Sequence, residues 1–184
     1  QLQLNGVEVV TGQTADAEYV KAAAPDAVIL AVGGLRPQLE FASTAGTRVM
    51  TMDELGQGVD GSEIVVLGSN AQAVDAVQYL QAQGKHVTIV TEDSADNLGK
   101  GQSSWVRTFT NPMIYVRGTR VWQHAKLLSV NDGSVTFSGE TGVDMTVKAD
   151  TVIDARDMLP NTALVDALDG IQTVAVGDCN KPFN

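Results

Sequence analysis

The segment Gly68-Ser69-Asn70-Ala71-Gln72-Ala73 follows an apolar run and opens a helical pattern. Dinucleotide-binding proteins carry a phosphate-binding turn at such a place, with the spacing G-x-G-x-x-G. There the first glycine permits a tight turn, the second lets backbone approach the pyrophosphate, and the third lets helix and strand pack closely. Gly68 keeps the first role, and Ala73 is a mild substitute in the third. Asn70 departs from the pattern, because its side chain is expected to crowd the space that phosphate oxygens would enter. Asn tolerates left-handed backbone angles, so the turn itself can survive. The helix beginning at Ala71 offers N–H groups and the positive end of its dipole to an anion. Taken alone, G-x-N-x-x-A suits a ligand-free strand–turn–helix connection equally well.

A bound dinucleotide would place its adenine ribose at the end of the next strand, where an acidic residue reads the hydroxyls. Thr91 stands there, with Glu92 and Asp93 beside it. Glu92 is the candidate for the ribose; a solvated acidic loop is the plainer reading. Along the chain, Lys100 is the first cation after this point, so NADH is expected over the more negatively charged NADPH.

Other chemistries find less support. His86 and His124 lack the spacing of metal ligands, and no catalytic residues or metal site are expected. Ser103-Ser104 has no nucleophile-elbow context. Cys179, the single cysteine, reads as buried packing rather than a nucleophile. Asp75 reads as a helix-surface carboxylate, and Trp105 and Trp122 as core or interdomain packing.

These residues need a βαβ frame to position them. Ile64-Val65-Val66-Leu67 is a continuous apolar run, as a strand covered on both faces requires. From Ala71 to Gln83, Ala73, Val74, Val77 and Leu80 share one helical face, and Gly84 stops the helix. Val87-Thr88-Ile89-Val90 supplies the following strand. Further strands are expected at 6–10, at 49–51, and at 26–32, 151–155 and 173–176 as buried strands. A short helix is expected to begin at Asp53, and 94–111 reads as polar and loop-like, with a helix around Trp105. Four β-type stretches are expected at 114–116, 121–130, 135–137 and 145–147. Asn131-Asp132-Gly133 signals a hairpin.

The 184 residues suffice for one large domain or two small ones. A hydrophobic share of 43% is that of an ordinary globular chain. Its net charge of −10 disfavours nucleic acid as a partner. No apolar run approaches the roughly 20 residues of a membrane span, and the first residues lack a signal-peptide pattern. A reducing cytoplasm is the expected setting.

Several stretches then resemble one family in one order. Asp26-Ala27-Val28-Ile29-Leu30-Ala31-Val32-Gly33-Gly34-Leu35-Arg36-Pro37 looks like the "aDaVIlAtGs.P" segment of two-dinucleotide flavoproteins. Met50 to Leu55, the βαβ unit and Ala149 to Ala155 follow in family order. Pro160-Asn161-Thr162 is similar to "G.rPNt", and Val176-Gly177-Asp178-Cys179 to "iGDc". Together they resemble the C-terminal region of NADH:flavin oxidoreductases related to 2,4-dienoyl-CoA reductase, 2-enoate reductase and trimethylamine dehydrogenase.

The resemblance implies an α/β, three-layer Rossmann-like parallel sheet with a small antiparallel β-layer, here from about Val121 to Val147. It implies NAD(H) and FAD as cofactors of the intact protein, with FMN and an iron–sulfur cluster in regions outside this stretch. Residues 1–53 would be part of the FAD-binding domain, 54–148 the NAD(P)-binding domain, and 149–184 the return to the FAD domain. The partners would be the dinucleotide, an N-terminal barrel and further FAD-domain segments of the same protein. No membrane or nucleic-acid partner is expected. Gly68, Ser69, Asn70, Ala71 and Ala73 would form the pyrophosphate turn, and Thr91 and Glu92 the ribose end. Asp157, in place of a family glycine, would sit near the nicotinamide half. Gly33, Gly177 and Asp178 would serve the flavin. The chain would then be a fragment, inactive alone, that positions NADH for hydride transfer to FAD. The competing expectation is a degenerate domain that binds ADP or no nucleotide and has a structural role.

Overall fold

The computed structural model describes residues 2–39 and 41–182. In chain order the first elements are α1 (Ala17–Ala22), β1 (Ala27–Leu30), two-residue β2 (Gly34–Leu35) and β3 (Arg48–Thr51). A 3-10 helix, Met52–Gln57, precedes β4 (Glu63–Leu67), α2 (Ala71–Ala82), β5 (His86–Val90) and α3 (Ser104–Val116). Then come β6 (Arg120–Trp122), β7 (Lys126–Asn131), β8 (Ser134–Ser138), β9 (Asp144–Lys148) and β10 (Thr151–Asp154). Short β11 (Leu159–Pro160), α4 (Ala163–Ala167) and β12 (Gln172–Ala175) complete the set.

Two compact units result: one takes the chain up to Leu35 together with Pro160–Pro182, and the other takes 36–159. The second unit is wider than the expected 54–148 segment, because β3 and β10 enter its sheet.

That second unit is the expected three-layer α/β arrangement. Its central sheet has the order β3-β10-β4-β5-β6, and every pairing is parallel. Ile64 and Val66 face a helical layer with Ala73, Val74, Val77, Leu80 and Ile114. Val65 and Leu67 face the opposite layer, against Val135 and Phe137. An all-apolar β4 is therefore what a strand covered on both sides needs. Each such buried side chain contributes about 1.5–3 kcal/mol.

The second layer is the antiparallel sheet β7-β8-β9, with the β7–β8 turn at Asp132-Gly133. It begins at Lys126 rather than Val121. The expected 121–130 run divides because β6 extends the parallel sheet. The chain then wraps around Thr91: the Thr91 N–H donates to Trp122 O, and the Ala125 N–H to Thr91 O. The expected strand at 114–116 is the last turn of α3, where Ile114 is buried against α2 as part of the helical layer. Pro112 lies inside that helix. Trp122 packs on Phe137 with ring centroids 5.3 Å apart. Trp105 is 73% exposed and no part of the core, touching Phe109 of its own helix.

In the first unit, β1 and β12 pair in parallel, Ala27 with Gln172 through Leu30 with Ala175. They are not the buried strands expected. Ile29 and Val174, register partners, are 74% and 51% exposed, since a two-stranded sheet covered on one side leaves the other bare. The core of this unit holds Leu30, Leu168 and Cys179, and the Cys179 thiol donates to Leu30 O and Val176 O, both at 3.1 Å. No strand forms at 6–10; Val7, Val9 and Val10 are exposed and unpaired in any sheet.

Candidate functional site

Parallel sheets bind ligands outside the carboxyl ends of their strands. In the second unit those ends open onto a cleft of about 520 Å³. Leu67, Gly68 and Ser69 from the end of β4 line it, as do Val90, Thr91, Glu92 and Asp93 from the end of β5. Arg156 and Asp157 come from the segment after β10. Pro37, Leu39, Phe41, Leu127 and Leu159 give the same cleft an apolar side.

Gly68 has a physical reason to be glycine. Its φ is +114°, and an added Cβ would lie 2.7 Å from the carbonyl oxygen of Ala155. That close approach joins the end of β4 to the end of β10, with the Gly68 N–H donating to Val90 O at 3.0 Å on the other side.

Asn70 does not intrude on the cradle as expected, nor does it take left-handed angles. It is the N-cap of α2 at φ −70° and ψ −179°, and it is 4% exposed. Its Oδ1 accepts from the Ala73 N–H at 3.0 Å, as an N-cap asparagine does. Its Nδ2 donates to Ala155 O and to Asp157 Oδ1, both at 2.9 Å. The side chain is thus turned inward as a latch between the helix start and the segment after β10.

The same latch includes a strap from the loop ahead of α3. The Gly99 N–H donates to Ser69 O at 2.7 Å, and the Ala71 N–H to Lys100 O at 2.8 Å. Lys100 Nζ then pairs with Asp157 Oδ2 at 2.9 Å. This hydrogen bond to Asp157 is the main reason the Lys100 ammonium is held above its ordinary pKa. Arg107 anchors the strap by donating to Leu98 O at 2.8 Å and to Asp96 O, and Asn111 Nδ2 adds a bond to Leu98 O at 2.9 Å. Two amides of the first helical turn, Ala71 and Ala73, therefore already have partners inside the protein.

Of the residues singled out in the sequence, Gly68, Ser69, Thr91, Glu92 and Asp157 converge on the cleft. Asn70, Ala71 and Ala73 stand behind its wall at the helix start. Gly33, at φ +75°, and Gly177 and Asp178 belong to the first unit. Asp75 is exposed and accepts from Gln102 Nε2 at 3.0 Å, a surface role as expected. Exposed His86 pairs with Glu63. Inside the cleft, the Ser69 hydroxyl donates to Asp93 Oδ2 at 2.6 Å, and Thr91 Oγ1 accepts from the Asp93 N–H at 3.1 Å.

Two cations of the cleft escaped the sequence reading. Arg156 holds the buried Asp154 through Nε and Nη2, both at 2.9 Å. Lys126, at the head of β7, lines the cleft together with Glu92. Counting cations along the chain missed it, since the β6–β7 turn brings it back to Thr91. Alternation of Lys126, Leu127 and Ser129 in a strand was the available signal, but its register onto the cleft was not.

Among the described residues, no group of three or more His, Cys, Asp or Glu could hold a metal ion. Among them, too, no helix is long and apolar enough to cross a membrane.

No protein-family description matches the chain. In sequence it is 27% identical over 183 residues to a bilirubin reductase of Mediterraneibacter gnavus, which covers 95% of this chain and 28% of that protein. It is 38% identical over 96 residues to an NADH oxidase of Thermoanaerobacter brockii, covering 49% of this chain and 15% of that protein. In structure it follows a 2-naphthoyl-CoA reductase complex over its whole length, with TM-score 0.78, 22% identity and 28% of that chain covered. The resemblance to the flavin oxidoreductases holds. The likeness in structure is one of fold, and the chain spans under a third of each of these three relatives. The fold shared with them is a parallel sheet with a small antiparallel layer.

Proposed function

We propose that the chain is the pyridine-nucleotide-binding region of a flavin-dependent oxidoreductase, and that it positions NADH for hydride transfer to FAD in the intact enzyme. The observation that supports this most is the cleft at the carboxyl ends of β4, β5 and β10, lined by Gly68, Ser69, Thr91, Glu92 and Asp157. NADH, when bound, supplies the hydride; this chain supplies position and electrostatics. The apolar side from Pro37, Leu39 and Phe41 suits a flat base, and exposed Glu92 suits ribose hydroxyls. Of the two cleft cations, Arg156 is committed to Asp154 and Lys126 is free among the described residues, set against acidic Glu92 and Asp93; NADH over NADPH is the preference this reading carries. Gly33, Gly177 and Asp178, in the first unit, would serve the flavin, and the second unit, 36–159, would serve NADH, which moves the ends of the expected NAD(P)-binding segment outward from 54–148. A cytoplasmic setting, and an FMN barrel with an iron–sulfur cluster elsewhere in the same protein, complete the proposal.

A second reading is favoured by the latch. With the Ala71 and Ala73 amides held by Lys100 O and Asn70 Oδ1, the helix N-terminus is a poor phosphate site, as in a degenerate domain that binds ADP or nothing. Calorimetric titration with NADH, NADPH and ADP decides between them. Saturable binding with NADH tightest supports the first reading. Heat from ADP alone, or no heat, would leave the second.

A further inference from the structure

We infer that Lys126 is the phosphate-recognising residue of this cleft, taking the part that the helix N-terminus plays in a full G-x-G-x-x-G turn. The inference rests on the cleft being a nucleotide site. The fold occupies two of the usual donors first: the Ala71 N–H is tied to Lys100 O at 2.8 Å and the Ala73 N–H to Asn70 Oδ1 at 3.0 Å. A diphosphate seated on these two amides would have to displace both bonds. Among the lining residues only Lys126 and Arg156 are cationic, and Arg156 is bidentate to Asp154, whose side chain is 2% exposed. Lys126 has no hydrogen bond or ion pair from its ammonium among the described residues. It is exposed, and its backbone is fixed by pairing with Ser138 beside the Thr91–Ala125 contact. A flexible ammonium with three donors suits a phosphate that meets it as a point charge. Glu92, on the same cleft, is left for the ribose.

The test compares adenosine with ADP on the chain and on Lys126→Gln and Lys126→Arg, followed by calorimetry or NMR titration. Circular dichroism confirms that an exposed substitution leaves the fold intact. The chain should bind ADP more tightly than adenosine. Lys126→Gln should weaken ADP about five- to tenfold, as loss of one charge-assisted contact does. Adenosine should be unchanged, and Lys126→Arg should retain most of the ADP affinity. An undiminished ADP preference in Lys126→Gln, or equal binding of ADP and adenosine to the unsubstituted chain, would overturn the role of Lys126 and leave the cleft a nucleoside site. Absence of binding by both ligands would overturn the nucleotide site and this inference with it.

Discussion

The turn after β4 and the turn after β5 lie at the same edge of the same sheet, and both follow buried parallel strands. At the first, two amides of the helix start are engaged by the protein: Asn70 Oδ1 takes the Ala73 amide and Lys100 O the Ala71 amide, while Asp157 is held from two sides. At the second, Glu92 stays exposed and Lys126, on the same cleft, has no partner for its ammonium among the described residues. The difference teaches that a fingerprint position and a binding position can separate. Asn70 in place of glycine brings an amide long enough to reach Asp157 and Ala155, and those bonds convert a cradle into a latch.

The sharpest way to break the closed turn is Gly68→Ala. The added Cβ would meet Ala155 O in a backbone region L-residues avoid, so unfolding in urea should show a loss of about 2–4 kcal/mol. A loss near zero would mean that the approach of β4 to β10 is loose.

Asp150→Asn serves as a control away from both turns. Asp150 Oδ2 accepts from the Ser62 N–H at 2.7 Å and the Glu63 N–H at 2.9 Å, where the sheet begins. The backbone N–H of Glu63, then that of Ser62, holds its carboxyl below the ordinary value of 3.8. A depressed pKa in the folded state gives stability that is present above the ordinary value and lost as pH falls through the folded one. The variant should therefore cost about 1–2 kcal/mol near neutrality. The gap should narrow in urea titrations as acid protonates Asp150 in the unsubstituted chain. Nucleotide affinity should not move.

Asn70→Ala removes the cap and two further bonds, with an expected cost of about 1–2 kcal/mol. By freeing the Ala73 amide and loosening the strap, it should also admit phosphate at the helix start. ADP titration of this variant should show a gain that Lys126→Gln does not abolish. Lys100→Met is the mildest change. Its ion pair with Asp157 has both side chains more than 40% exposed, so the loss should stay below about 1 kcal/mol in thermal unfolding.

Much of the frame was legible from pattern. An all-apolar Ile64–Leu67 followed by Ala73, Val74, Val77 and Leu80 on one face specifies a covered strand and an amphipathic helix by local rules alone. What could not be read depends on contacts between distant residues. Asn70 meets Asp157, and Lys126 comes back to the cleft beside Thr91. Strand burial failed for Ile29 and Val174 for a related reason: apolar runs mark a sheet, but covering it takes elements that the run itself does not encode.

Nucleotide is expected to bind at the open turn after β5 and not at the closed turn after β4. Amide chemical shifts of the isotope-labelled chain, followed through an ADP titration, test it most directly. Saturable shifts are expected at Ser69, Thr91, Glu92, Asp93 and Ala125 to Leu127, with Ala71 and Ala73 little moved. Shifts led by Ala71, Gln72 and Ala73, or none at saturating ADP, would contradict it.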